Sequence, residues 1–107
     1  MANPHAGEVA LVIDGVPHRL KLTLGALAEL ETALGADSLM ALVERFERGQ
    51  FRARDVMALI LAGLHGAGQP MPAAALLSAE IEGGAMEAAR AAGLLLARAF
   101  AVPGGGA

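Results

Sequence analysis

The chain has 107 residues and a mass of 10.8 kDa, enough for one small core that buries about 65% of the unfolded surface. Its net charge of −3 argues against general nucleic-acid binding, which draws on basic residues, and the lack of Cys excludes a disulfide framework, a thiolate zinc site, an iron–sulfur cluster and a Cys nucleophile. The apolar share is high: with Gly included it is roughly two-thirds, where about half is usual, although much of it is Ala, which buries little area.

Glu8–Ile13 is rich in β-formers and is followed by Asp14-Gly15 and a second run, Val16–Leu24. Asp-Gly between two apolar runs predicts a hairpin with a type I′ turn, which needs positive φ at both central residues. Val16, His18, Leu20, Leu22 and Leu24 alternate with polar positions, so they are expected on the apolar face. Pro17 has no N–H and belongs at an edge or a break in pairing.

Thr23 is the expected N-cap of a first helix ending near Gly35, with Leu27, Leu30 and Leu34 on one face. Asp37 or Ser38 caps a second helix whose apolar face is Leu39, Leu42, Val43 and Phe46. Glu44, Arg45 and Arg48 are placed opposite, with Glu44 and Arg48 as an i,i+4 pair. A third helix starts near Arg52 or Ala53 and ends near Gly66, with Val56, Leu59, Ile60, Gly63 and Leu64 on one face and Met57 and Leu61 extending it. Gly66–Pro72 is a loop, and Pro72 suits the first turn of a short helix to about Ser78. The last helix is expected over about Gly84–Ala101, with Met86, Ala89, Gly93, Leu96, Ala97 and Phe100 forming one face and Leu95 pointing the other way.

These elements predict an α+β, mainly α fold: an N-terminal β-hairpin followed by four or five short helices, in a single domain over residues 1–102 with a disordered Gly-rich tail at 103–107. The longest uncharged stretch, Val56–Ala79, is cut by Gly66–Pro72 into halves too short to span a bilayer. The N-terminus has no basic and apolar regions of a signal peptide. A cytoplasmic protein without membrane contact is expected.

Groups for chemistry are few. His5 is near the terminus, His18 falls on the apolar face of the second strand and His65 sits at a helix C-terminus; none has metal-ligand spacing to another ligand type. Glu80 and Glu82 read as a solvated turn, and the Gly-bearing segments lack phosphate-loop spacing. No enzyme, metal or cofactor is expected. Arg45, Arg48, Arg52 and Arg54 cluster between two helices, where helix–turn–helix spacing would admit DNA. Glu44, Glu47 and Asp55 are interleaved, so a solvated, self-paired face or a protein-contact patch is the better reading. Met57, Leu61, Leu95 and Val102 are the apolar candidates for exposure to a partner, with Arg45 and Arg48 at the rim.

The DG hairpin, the LTLGALAELE segment and the LxxLxERFERGxF–ARDV stretch, within roughly Gly7–Gly66, resemble a family of small proteins from alphaproteobacterial gene transfer agents and related prophages. EIEGGAMEAARAAGLLLARAF matches the family only in style. Arg52 departs from a good N-cap, where Ser or Thr would serve better. The resemblance implies a tail assembly chaperone, a class to which the family is assigned although it has also been labelled a tail tube protein. It implies as partners the tape-measure protein and the major tail protein, and it carries over no catalytic residue. A homo-oligomer stays open. The alternatives are a structural tail component retained in the particle and, behind it, a nucleic-acid-binding regulator.

Overall fold

The structure, a computed structural model, describes residues 7–35 and 38–100. His5, Asp37, Val102 and the proposed tail at 103–107 lie outside the described residues. The fold is α+β and mainly α. Among the described residues a two-stranded antiparallel hairpin, β1 (Val9–Ile13) and β2 (Val16–Leu20), precedes five helices: α1 (Leu24–Leu34), α2 (Leu39–Glu47), α3 (Ala53–Gly66), α4 (Ala73–Leu77) and α5 (Gly84–Ala99). No helix among the described residues is long and apolar enough to cross a membrane.

The hairpin follows from its turn. Asp14 and Gly15 have φ of 51° and 76°, as the tight turn requires. The register pairs Ile13 with Val16 and Val12 with Pro17. The pair flanking a two-residue turn exchanges hydrogen bonds and the next pair does not, so the missing N–H of Pro17 falls on the outer edge. The outer edge of β1 is also occupied. Asp14 N–H donates to Glu80 O at 2.7 Å, Glu82 N–H donates to Val12 O at 3.1 Å, and Ile13 bridges to Ile81. Glu80–Glu82 is therefore a bridge onto the hairpin and not a merely solvated turn.

Strand β2 is shorter than its alternation suggests, and two of the five positions assigned to the apolar face are exposed. Val16 flanks the turn and is 54% exposed. Leu24 is exposed because the Thr23 side chain accepts from Ala26 N–H at 3.1 Å, starting α1 at Leu24 and ending the strand-like alternation. Ser38 caps α2 in the same way, accepting from Ala41 N–H at 3.0 Å. Pro72 stands at the N-cap of α4, one residue before its first turn.

Helix α3 packs against α1, β2, α4 and α5 and buries Leu59, Ile60 and Leu64 in the core. Its C-terminal half approaches the chain just after β2, where Lys21 N–H donates to Gly63 O at 2.9 Å. A Cβ on Gly66 would lie 2.0 Å from the Lys21 carbonyl oxygen, so this contact depends on glycine. Helix α5 covers β1 and α3 with Ala88, Ala91, Ala92 and Leu95, an Ala-rich face that permits close approach to the hairpin.

Candidate functional site

The charged stretch between α2 and α3 is a structural junction. Asp55, at the third position of α3, is only 1% exposed. Its carboxylate accepts two hydrogen bonds from the Arg45 guanidinium, both at 3.1 Å, and one from Arg52 N–H at 2.8 Å. The last bond is half of a capping box and compensates for Arg52 as a poor N-cap. Burial works against the charge of Asp55, and the bonds from the Arg45 side chain and the Arg52 backbone outweigh it, so the carboxyl is held below its ordinary value. Of the charges in this stretch, Arg45 and Arg52 pair with Asp55, whereas Glu44, Glu47, Arg48 and Arg54 make no ion pair among the described residues. The stretch is therefore only partly self-paired, and Asp55 is buried where solvation was expected. Arg45, placed opposite the apolar face by the sequence, turns inward to meet Asp55, with 19% of its side chain exposed. Arg48 is exposed, and the Glu44–Arg48 pair does not form among the described residues.

The apolar candidates separate. Leu95 is fully buried, which corrects its assignment to the surface: it belongs to the α5 face that packs on β1 and α3, and its methyl groups would meet a Cβ placed on Gly63 at 2.9 Å. Met57 is half-buried against the core. Leu61 lines a cleft of about 230 Å³ between α1 and α3, with Met71 and Ala33. Across that cleft His65 Nδ1 stands 2.7 Å from Glu29 Oε2, with both side chains more than half exposed. His18 Nδ1 lies 2.8 Å from Val16 O, a local backbone contact. Among the described residues no group of three or more His, Cys, Asp or Glu side chains stands together as metal ligands.

A larger apolar groove, about 550 Å³, lies between α2 and α5. Val43, Phe46 and Glu47 of α2 line one side, with Phe51 from the following turn. The Phe46 and Phe51 rings stack with centroids 4.6 Å apart and planes 10° from parallel. Ala89, Gly93 and Ala97 of α5 form a small-residue strip along it, with Leu96 beneath, and Met86 and Phe100 stand toward its two ends. All three Phe of the chain, its only aromatic residues, thus line one groove. Met86 is 86% exposed and Phe100 43%. Arg90 stands at the rim, its guanidinium Nε bonded to Glu87 Oε1 at 2.9 Å; that bond holds the Glu87 carboxyl below its ordinary value.

The α5 side of this groove is the face that the sequence groups together, none of whose residues were among the candidates for exposure. At 100° per residue the apolar arc of α5, from Ala91 round to Ala97, spans about 240° of its circumference, more than twice what one buried stripe needs. The Ala88–Leu95 half of that arc meets the core, and the bulkier Met86–Phe100 half, apart from Leu96, is left at the surface. The width of the arc was the signal that α5 has two apolar faces.

A family model described as phage tail tube protein, GTA-gp10, matches residues 6–102. No curated protein and no solved structure matches the chain significantly.

Proposed function

The chain belongs to the phage tail tube protein, GTA-gp10, family, and from that premise we propose that it is a non-enzymatic tail assembly chaperone. In this reading it masks apolar helical segments of the tape-measure protein in the cytoplasm before the tail tube polymerises. Family membership supports a phage-tail role in general, and the observation that carries the finer reading is the open α2–α5 groove with three Phe and an exposed Met. An apolar groove of this kind receives the apolar face of an amphipathic helix. Burying Met86 under a partner contributes about 1.5–3 kcal/mol and Phe100, already more than half buried, about half of that, before ordering costs. That supports a moderate affinity, which a growing tube can displace. Asp55 engages Arg45 and Arg52, two of the four Arg of the cluster, which weakens the cluster as a phosphate-binding patch.

The family description itself favours a second reading, a structural tail component retained in the particle. Addition of the hairpin to a ring would need a free strand edge. The β1 edge is taken by Glu80–Glu82, and the β2 edge carries Pro17. Mass spectrometry of purified particles separates the two readings. Absence of the chain, together with its recovery in a complex with the tape-measure protein from assembling cells, is expected of a chaperone. Stoichiometric presence in the finished particle rejects that role.

A further inference from the structure

The α2–α5 groove has a definite length, floor and charge. Met86 and Phe100 are fourteen positions apart on α5, about 21 Å along the axis. Between them Ala89, Gly93 and Ala97 recur every fourth residue, in steps of about 6 Å. A strip without large side chains leaves room for those of another helix. Among the described residues two charged side chains line the groove. Arg90 is already bound to Glu87, whereas Glu47 is exposed and makes no ion pair among the described residues. The unbalanced charge beside the groove is therefore negative.

Outside the groove itself, a second copy of the chain offers no apolar helical ridge among the described residues. Its other exposed large apolar residues, Val16, Leu24, Met40 and Leu77, lie on four different elements and form no helical stripe. Residues 101–107 carry one large apolar side chain, Val102. A separate helix with its own apolar stripe meets both the length and the chemistry.

We infer that the α2–α5 groove seats one amphipathic partner helix, which lays large apolar side chains spaced i, i+4 and i+7 over Ala89, Gly93 and Ala97 and sets a Lys or Arg beside Glu47. The inference deepens the chaperone reading and rests on it for the source of the helix. Met86 and Phe100 close over the ends, so the contact covers about three to four turns. The small floor sets the spacing, and Glu47 sets which flank of the helix faces α2.

The test uses fluorescently labelled, Ala-based helical peptides of about 18 residues, long enough to hold helix. Each carries Leu at i, i+4 and i+7, with either Lys or Glu on one flank, and binding is read by anisotropy at low salt. The wild-type chain is expected to prefer the Lys peptide by about threefold, the scale of one exposed ion pair, and Glu47→Lys is expected to reverse that order. Gly93→Leu fills the floor and is expected to weaken both peptides about tenfold. An added Cβ there meets Phe46 at an ordinary 3.7 Å, and circular dichroism checks that the helices are kept. The inference is overturned if neither peptide binds, if Gly93→Leu binds like wild type, or if Glu47→Lys keeps the Lys preference. It is also overturned if the wild type is a dimer that Gly93→Leu dissociates, or if deletion of residues 101–107 is what opens the groove to peptide. Peptides that behave as stated while no tape-measure complex forms reject the chaperone reading and leave the groove's specificity standing. The converse result rejects the groove alone.

Discussion

Replacing Asp55 by Asn tests the junction that sets α2 against α3, and hence the α2 side of the groove. The substitution keeps the side-chain volume and removes the charge that Arg45 and Arg52 N–H share. Breaking a fully buried pair costs about 3–5 kcal/mol, because the remaining charge is left uncompensated. Arg45 retains 19% side-chain exposure, so water takes part of the load, and the Asn carbonyl still accepts one bond. The expected loss is about 2 kcal/mol, or a fall of about 8–16 °C in Tm for a domain of this size. The pH dependence has a definite sign. The folded carboxyl of Asp55 is held below its ordinary value, so its contribution is fully present above the unfolded value of about 4 and is lost as pH falls through the folded one. Thermal melts followed by circular dichroism at about pH 7 should show the full difference between wild type and variant. The difference should narrow at about pH 3. Equal melting temperatures at neutral pH, or a gap that does not change on acidification, would refute this account of the junction.

Three further substitutions separate close packing from open groove, each read by urea unfolding. Gly66→Ala drives a Cβ into the Lys21 carbonyl and is expected to cost more than about 2 kcal/mol, because a backbone atom has to move. Gly93→Ala meets only ordinary contact in the interior of α5 and is expected to be neutral or to stabilise by up to about 1 kcal/mol. Leu95→Ala opens a cavity at a fully buried position and is expected to cost about 2–5 kcal/mol; a cost under about 0.5 kcal/mol would place Leu95 at the surface after all.

Local chemistry was legible in the sequence. Asp14-Gly15 specifies its own turn, Thr23 and Ser38 cap their own helices, and Gly35 and Gly49 follow α1 and α2 with positive φ. Features that depend on distant partners were not legible. The burial of Asp55 is settled by Arg45 on another helix, and the bridge from Ile13 to Ile81 joins segments far apart in the chain. The face of α5 was misjudged because its apolar arc admits two solutions. The half of the arc with Ala88, Ala91, Ala92 and Leu95 is the one that packs on the hairpin and α3, and its small Ala side chains permit close approach. Leu95, a candidate for exposure, is therefore buried, and the strongest candidate surface is built from residues outside that list.

The most direct test of the account is the solubility of the tape-measure protein co-expressed with the wild-type chain, with Gly93→Leu, or with neither. The account predicts a soluble complex with the wild type and a tape-measure protein that pellets in the other two cases. Equal solubility in all three, or full rescue by Gly93→Leu, would contradict it.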